Sequence, residues 1–400
     1  MTADVIVVGA GVVGCSIAYR LAQSGRQVLV IDKRGIASGA SGRNNGSTGA
    51  GSAMHSAEGR AIYALTSANL AMLRELPDEL DADFELRLPG AVDLATTEAQ
   101  VEHLRRSIAL QRAAGLDVHW LDGQETRALL PAVSDAILGA EFKAGVGHLW
   151  PFALVHGLAN AARRHGATFR TWTAVQCLHR RGDRVAGVVL AGGDVIEADD
   201  VILATNAYTP QLLDLPPGAL VPARGQILVT QPIPPLIPYS FGTNFDKEYG
   251  RQTPGGQVLC GGYRRLDDDE GLGHYEERVN PAVIAGIAGC LTTLFPALRG
   301  VKVVRAWAGI MGFTADGLPL IGRYESEPGL TLAAGFNGGG LSWAAIVGQV
   351  IADLVNGRPP GFDLAPFDPN RFSGTGASWT NPFTAGERSD AGLALPTGSV

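Results

Sequence analysis

The apolar positions of the first 32 residues follow three patterns in turn. Asp4-Val-Ile-Val-Val8 is an apolar run typical of a buried strand, and Cys15 to Gln23 carries its apolar residues at helical spacing. Gln27-Val-Leu-Val-Ile31 is a second apolar run, and Asp32 follows it. The segment Gly9-Ala-Gly-Val-Val-Gly14 connects the first strand to the helix. This order of elements predicts a dinucleotide-binding unit.

Each glycine of the connecting turn has a physical role. Gly9 lets the chain turn sharply, Gly11 lets the backbone approach a pyrophosphate, and Gly14 lets the helix pack closely against the strand. The free N–H groups at the start of the helix can bind the phosphates. Asp32 stands 18 residues after Gly14, near the offset of about 20 residues at which a carboxylate reaches a ribose hydroxyl.

Helical and strand patterns alternate along the rest of the chain, which predicts an α/β fold. Helices are expected at 57–76, 98–115, 152–165, 281–294 and 344–354, and strands at 86–96, 168–178, 185–190, 195–197, 201–205, 226–230, 242–251, 257–263, 302–310 and 330–334. The strands between 226 and 310, completed by a hairpin around Pro89-Gly90, are expected to form an antiparallel sheet of a substrate domain. That domain is interleaved with a Rossmann-like nucleotide domain.

The expected domain boundaries follow from this interleaving. The nucleotide domain takes residues 1–76, 146–215 and 320–365, and the substrate domain takes 77–145 and 216–319. The segment 372–400 is rich in Ser, Thr, Gly and Pro. We expect it to be a tail that is ordered only if it docks on the body or on a partner subunit.

Composition excludes several classes of protein. The chain has 400 residues, of which 46% are hydrophobic and 18% charged, so it can bury an extensive core. The net charge of −7 and the scattered basic residues give no reason to expect nucleic acid. The four cysteines and eight histidines show no metal-ligand spacing, so we expect no metal site. No apolar stretch approaches the roughly 20 residues of a membrane span, and we expect a cytoplasmic protein.

Two further glycine-rich segments bear on which dinucleotide is bound. One is 36–47, directly after the ribose acid, and the other is 335–343, before a helical pattern. A nicotinamide dehydrogenase usually keeps its nucleotide-binding unit contiguous, so the segment 335–343 would have no cofactor to contact in such a protein. Both segments could be flexible loops, but the strand-like run 330–334 and the helix that flank the second one favour a built site.

Four segments of the sequence resemble the flavin-dependent D-amino acid, glycine and sarcosine oxidases and their dehydrogenase relatives. They are the N-terminal glycine motif, Ser38-Gly-Ala-Ser-Gly-Arg-Asn-Asn-Gly46, residues 198–207, and residues 307–322 leading into the late glycine loop. The resemblance implies FAD, with its pyrophosphate on the first helix, its ribose on Asp32, and its flavin between residues 41–47 and 338–342. Many relatives carry Glu where Asp32 stands.

The motif and the resemblance together imply a set of cofactor-binding residues. They are Gly9, Gly11, Val12, Val13, Gly14, Asp32, Lys33, Ser41, Gly42, Arg43, Asn44, Asn45, Gly46, Ser47, Val175, Thr205, Gly309, Gly338, Gly339, Gly340, Leu341 and Ser342. The cysteine that links the flavin in the sarcosine oxidases falls at Gly309, so we expect FAD to be bound non-covalently. Their substrate-binding lysine falls at Ser342.

The substrate-binding residues differ from those of the relatives. The tyrosine that binds a carboxylate in the glycine oxidases aligns with Tyr249, but their arginine aligns with Met311. Arg251, two residues along the same strand, would face the same way as Tyr249 and could replace that arginine. Alternatively, Arg251 is a solvated strand residue and Met311 indicates a less anionic amine. Asn337 completes the expected substrate-binding set, and Arg264-Arg265 are further positive groups near the domain junction.

The resemblance implies oxidation of the C–N bond of an amino acid or a related primary or secondary amine. Hydride would pass to flavin N5, the imine would hydrolyse in water, and oxygen or an electron carrier would accept the electrons. No catalytic side chain is assigned, and His148 and His274 are weak candidates for a base. Two alternatives remain: a 2-hydroxy acid as substrate, which would require a base, and a flavin-bearing subunit of a heteromeric dehydrogenase. The chain could form a homo- or hetero-oligomer.

Overall fold

The computed structural model describes residues 2–50, 56–113, 115–243 and 248–373. The helices in these ranges are α1 (Val12–Gln23), α2 (Ala57–Leu80), α3 (Glu98–Ala113), α4 (Gly123–Leu129), α5 (Pro151–Arg164), α6 (Pro281–Leu294) and α7 (Ala344–Val355). The strands are β1 (Thr2–Val8), β2 (Val28–Ile31), β3 (Ser47–Thr48), β4 (Ala91–Ala95), β5 (Val118–Asp122), β6 (Gly139–Lys143), β7 (Gly147–His148), β8 (Thr168–Arg170), β9 (Val175–Arg181), β10 (Arg184–Leu190), β11 (Val195–Leu203), β12 (Leu220–Thr230), β13 (Ser240–Gly242), β14 (Tyr249–Gln252), β15 (Val258–Gly261), β16 (Val303–Thr314), β17 (Leu320–Arg323) and β18 (Leu330–Ala334).

The first sheet has the order β17-β18-β11-β1-β2-β8, with β10 and β9 attached to β11. The pairs from β18 to β8 are parallel, and β17 adds an antiparallel edge. Parallel strands require covering layers on both faces. Side chains of β1 alternate accordingly: Val5 and Val7 join a core with helices α1, α2, α5 and α7, while Ile6 and Val8 join a second core with β10 and β11.

The second sheet has the order β16-β12-β15-β14-β13-β4-β6-β5. Its longest pair is β12 with β16, which runs antiparallel from Leu220 opposite Thr314 to Thr230 opposite Val303. Helix α6 packs on this sheet in a third core. Strands β3 and β7 form a separate two-stranded sheet. The expected α/β architecture, with a parallel sheet and a largely antiparallel one, is confirmed.

Some elements match the sequence prediction and others do not. Helix α6 has the predicted bounds, because Asn280 Oδ1 accepts a hydrogen bond from Ala282 N and Pro281 occupies the first turn. The predicted hairpin at 86–96 is wrong. Only β4 forms there, and it lies between β13 and β6, while Arg87 makes a single bridge to His148.

Other corrections concern strand bounds. The predicted strand 168–178 divides into β8, which pairs with β2, and β9, which pairs with β10. The predicted strands 195–197 and 201–205 are one strand, β11, whose first half pairs with β10 and whose second half pairs with β18. Strand 242–251 is two strands, β13 and β14, and residues 244–247 lie outside the described ranges. Elements β5, α4 and β6 have no counterpart in the sequence prediction.

The domain boundaries stay a prediction, but the sheets divide as the interleaving requires. Strands of the first sheet come from residues 2–31, 168–203 and 320–334, and those of the second from 91–143 and 220–314. Of the expected tail, residues 374–400 lie outside the described residues. Its first residue, Phe372, is buried in the second core.

Candidate FAD and substrate site

A cavity of about 740 Å³ lies where the carboxyl ends of β1, β2 and β11 meet the glycine loop after β18. In open α/β sheets, ligands bind outside the carboxyl ends of the strands. Strands β14 and β16 of the second sheet close the other side of the cavity through Tyr249 and Met311. The volume is within the usual range of about 300 to 1,000 Å³ for cofactor and ligand sites.

The glycine turn has the conformation that its sequence predicts. Gly9 has φ +110°, and a Cβ atom there would lie 2.6 Å from Ala204 O. A Cβ atom on Gly14 would lie 1.9 Å from Gly9 O, so only glycine allows α1 to pack this closely on the turn. Gly11 lines the cavity, and a Cβ atom there would meet Ser41 Oγ at 3.0 Å. The turn therefore leaves its backbone open to a phosphate group.

Backbone N–H groups of the glycine turn and of Arg34 hold the Asp32 carboxylate in place. Its Oδ2 accepts a hydrogen bond from Ala10 N at 2.8 Å, and its Oδ1 accepts one from Arg34 N at 2.7 Å. The carboxylate lines the cavity. Each oxygen retains a lone pair that can accept from a ribose hydroxyl.

The loop at 38–47 packs against the start of α1. Val12 N donates to Ser41 Oγ at 2.9 Å. Asn44 stabilises the loop by donating from Nδ2 to Ala40 O and Ser41 O. Asn45 lines the cavity and is 5% exposed, and its buried Nδ2 has no hydrogen-bond partner in the described part of the protein. An unsatisfied buried donor of this kind indicates a missing acceptor. Together with the open glycine turn and Asp32, it fits FAD.

Most of the predicted cofactor residues line this cavity. They are Gly9, Gly11, Val12, Val13, Asp32, Lys33, Ser41, Asn44, Asn45, Ser47, Val175, Thr205, Gly338, Gly339, Gly340 and Leu341. Their contacts with FAD stay a prediction.

The remaining predicted cofactor residues are not part of the lining of this cavity: Gly14, Gly42, Arg43, Gly46, Gly309 and Ser342. Arg43 and Gly309 line a small neighbouring cavity of about 30 Å³. Close backbone packing explains why two of these positions are glycine. A Cβ atom on Gly42 would lie 2.2 Å from Ala37 O, and a Cβ atom on Gly46 would lie 2.1 Å from Leu149 O. These residues shape the loops that the lining residues belong to.

The side chains of Arg43 and Ser342 are used within the protein. Arg43 donates to Ala308 O at 2.8 Å and pairs with Glu277 at 2.9 Å. Ser342 Oγ accepts from Gly49 N at 3.2 Å. Both connect segments that surround the cavity.

The substrate-binding role of Arg251 stays a prediction, and the position of the side chain gives it no support. Arg251 is 5% exposed and is not among the residues that line the main cavity. Its Nε donates to Asn45 O, and its Nη2 donates to Leu149 O at 3.3 Å. Burial lowers the pKa of Arg251 to about 10. A buried guanidinium needs acceptors, and here the backbone carbonyl groups of Asn45 and Leu149 supply them.

The side-chain amide of Asn337 makes its hydrogen bonds within the protein. The residue lines the cavity with φ +50°, but its side chain holds its own loop. Oδ1 accepts from Thr314 N at 3.0 Å, and Nδ2 donates to Gly335 O at 2.7 Å. The side chain thus positions the glycine loop against β16.

Arg264 lines the cavity together with Tyr249, Met311 and Phe313, and this part of the cavity is termed the substrate end. Nη1 of Arg264 donates to Arg224 O at 2.6 Å, and its Nη2 lies 3.9 Å from Met311 Sδ. Burial lowers the pKa of Arg264 to about 10, so the side chain is charged at neutral pH. Burial also raises the pKa of Tyr249, which keeps its hydroxyl protonated. From the sequence, Arg264 is recognisable only as a positive group near the domain junction.

Acidic and basic side chains are distributed unevenly around the cavity. Among the described residues that line it, Asp32 is the sole carboxylate, and no histidine is present. His148 is buried elsewhere, with Nδ1 3.3 Å from Ser240 Oγ, and burial lowers its pKa to about 4. His274 lies beside Asp269 and Glu276 instead. Neither histidine is placed to act on a substrate in the cavity.

Neither a metal centre nor a membrane-spanning helix is found in the described ranges. Within residues 2–50, 56–113, 115–243 and 248–373, no group of three His, Cys, Asp or Glu side chains could hold a metal ion. In the same ranges, no helix combines the length and the apolarity needed to cross a bilayer.

The parallel sheet, the glycine turn and the cavity between two sheets define a dinucleotide-binding protein, and comparisons with known proteins identify its family. Residues 4–354 match the family described as DAO, FAD dependent oxidoreductase, and the chain belongs to this family. FAD is therefore its cofactor.

Individual relatives agree with this assignment. The chain is 30% identical over 382 residues to a glycine oxidase of Geobacillus kaustophilus (strain HTA426), covering 93% of this chain and 97% of that one. It is 30% identical over 383 residues to one of the subunits of an opine oxidase of Rhizobium meliloti, covering 92% and 97%. The crystal structure of glycine oxidase from Geobacillus kaustophilus superposes with a TM-score of 0.83 at 27% identity, covering 92% of this chain and 99% of that one.

Proposed function

We propose that this protein oxidises the C–N bond of an amino acid or a related amine. The observation that carries the proposal is the composition of the substrate end of the cavity. Tyr249 and Arg264 bring a hydroxyl and a guanidinium to it, and Met311 and Phe313 bring apolar surface. Its described lining includes no carboxylate or histidine that could act as a base there.

A neutral amine suits such a site. Its lone pair can assist the departure of hydride from the adjacent carbon, so the reaction does not require a side chain that removes a proton. When bound, FAD supplies the hydride acceptor. The side chains of the protein orient the substrate and exclude water, and the imine product hydrolyses afterwards. A 2-hydroxy acid would instead need a base to take its hydroxyl proton.

The glycine turn, the 38–47 loop and the glycine loop after β18 would hold FAD without a covalent bond, because the position of the linking cysteine is Gly309. Acid denaturation should therefore release the flavin into the supernatant. The relative named glycine oxidase supports an amino acid as substrate. We further propose that oxygen or an electron carrier accepts the electrons. All four cysteines are free thiols, which supports a cytoplasmic location.

The test is anaerobic reduction of the bound flavin. The purified protein is mixed without oxygen with amino acids, secondary amines, polyamines and 2-hydroxy acids, and loss of the visible flavin absorption is recorded. We expect bleaching by at least one amine and by no 2-hydroxy acid. Bleaching by hydroxy acids alone would contradict the proposal. Readmitting oxygen, or adding an electron-accepting dye, then distinguishes the two kinds of acceptor.

A further inference from the structure

The guanidinium of Arg264 lies beside Met311, the residue that aligns with the carboxylate-binding arginine of the glycine oxidases. Met311 occupies the aligned position on β16, and Nη2 of Arg264 lies 3.9 Å from its Sδ. Gly262 and Tyr263, with φ +135° and +53°, turn the chain at the end of β15, and Arg264 follows them. The positive charge thus reaches the cavity from this turn.

We propose that Arg264 and Tyr249 form the binding site for a substrate carboxylate. This inference rests on the proposed function and narrows the substrate to an amine that carries a carboxylate near the reacting carbon. An arginine presents a planar fork of donors that matches a carboxylate. The Tyr249 hydroxyl is a second donor, because burial raises its pKa and keeps it protonated.

Two glycines make room for these side chains. A Cβ atom on Gly225 would lie 2.9 Å from Arg264 Nη2 and 2.7 Å from Met311 Cε. A Cβ atom on Gly261, which pairs with Tyr249 across β14 and β15, would lie 2.6 Å from the tyrosine hydroxyl oxygen. The backbone on both sides is therefore adapted to the arginine and the tyrosine, as expected for a built site.

The surroundings hold the guanidinium at the cavity. Its Nη1 donates to Arg224 O, which fixes one edge of the group. The carboxylate of Asp267 is engaged by Arg224 through two hydrogen bonds of 2.8 Å and by Gln226 at 3.0 Å. Arg264 itself lines the cavity, and its guanidinium carbon lies 5.8 Å from the centre of the Phe313 ring. A carboxylate that enters would meet this charge against an apolar wall, where such a contact is strong.

The experiment compares two small probes of nearly equal shape, acetate and acetamide, in titrations of the FAD-loaded protein followed by the flavin absorption spectrum. Arg264→Met should weaken acetate binding by at least about tenfold and leave acetamide binding unchanged. Arg264→Lys keeps the charge without the fork and should give an intermediate acetate affinity. Arg265→Met, at the exposed neighbour, is the matched control and should behave as the parent protein does.

FAD content and thermal unfolding are measured for each variant, so that a folding defect is recognised. If Arg264→Met lost its FAD, Arg264→Lys would decide the outcome. An acetate affinity in Arg264→Met equal to that of the parent protein would overturn the inference. If Arg264→Met had lost its FAD, the same result in Arg264→Lys would overturn it. Amines without a carboxylate that reduce the flavin as well as amino acids would also overturn it, while leaving the proposed function intact. If no amine reduced the flavin but acetate binding still depended on Arg264, the proposed function would fail and the carboxylate site would stand.

Discussion

Arg34 Nη1 donates to both carboxylate oxygens of Glu277, at 2.8 and 2.9 Å. Arg34 lies two residues after Asp32 and lines the cavity, whereas Glu277 belongs to the segment before α6. Arg43 Nη2 also pairs with Glu277, at 2.9 Å. One carboxylate thus joins the segment after β2 and the 38–47 loop to the segment before α6.

Replacing Glu277 with Gln should speed the release of FAD. The variant loses the charge that holds Arg34 and Arg43, but these side chains are about a quarter exposed, so water screens part of the effect. We expect the free energy of FAD binding to weaken by on the order of 1 kcal/mol, which raises the dissociation constant of FAD several-fold. The measurement is FAD dissociation followed by fluorescence, at low and high salt.

The matched control is Glu276→Gln, which removes the neighbouring and more exposed carboxylate. The difference between the two variants should shrink at high salt because the ion pairs are screened. If both variants released FAD at the same rate, Glu277 would have no specific part in retaining the cofactor.

Gly11 tests the open backbone of the glycine turn. A valine there adds a side chain at the wall of the cavity, with its Cβ atom 3.0 Å from Ser41 Oγ. We expect Gly11→Val to fold but to bind FAD at least about tenfold more weakly and to purify with little colour. Gly192→Ala is the control, because a Cβ atom at Gly192 meets no atom within 4 Å. Full FAD content in Gly11→Val would show that the cofactor does not approach this residue.

The sequence predicts features that depend on short-range rules. The turn from Gly9 to Gly14 and the position of Asp32 follow from backbone sterics and from the length of one strand and one helix, so they are found without knowledge of the rest of the chain. Helix α6 is predictable for the same reason, because Asn280 and Pro281 mark its start. Helix α4 carries a similar signal that the sequence prediction missed, a capping box between Asp122 and Glu125.

The substrate end was less predictable because it depends on how separate strands pack. Alternation along β14 places Tyr249 and Arg251 on one face, but it does not say which acceptors lie within reach of a long side chain. Arg251 meets the carbonyl groups of Asn45 and Leu149 from a different part of the chain. Arg264 reaches the cavity through a turn whose geometry depends on the register of β12, β14 and β15. No local pattern carries that information.

His148 should make the stability of the protein depend on pH. Burial, followed by the nearby charges of Arg251 and Arg87, lowers its pKa to about 4. The unfolded chain, with a histidine pKa near 6.5, binds a proton more readily than the folded protein does between these values. Stability is therefore retained above about pH 6.5 and is lost as the pH falls toward 4, by on the order of 3 kcal/mol.

Denaturant unfolding at pH 7 and pH 4.5 measures this effect. His148→Gln should reduce the difference in unfolding free energy between the two pH values, whereas His156→Gln, on an exposed position of α5, should leave it unchanged. An unchanged difference in His148→Gln would mean that other groups cause the loss of stability in acid.

The ionisation of the substrate should control flavin reduction. If the neutral amine is the hydride donor and no side chain at the substrate end acts as a base, the rate at low substrate concentration should rise with pH through one ionisation, that of the amine. His148, with a pKa of about 4, and Arg264, with a pKa of about 10, do not change charge between pH 6 and pH 9. Anaerobic stopped-flow reduction with two substrates whose amines differ in pKa separates the possibilities. The midpoint of the profile should shift with the amine pKa of the substrate. A midpoint that stayed at the same pH for both substrates would instead identify an ionising group of the protein as the base.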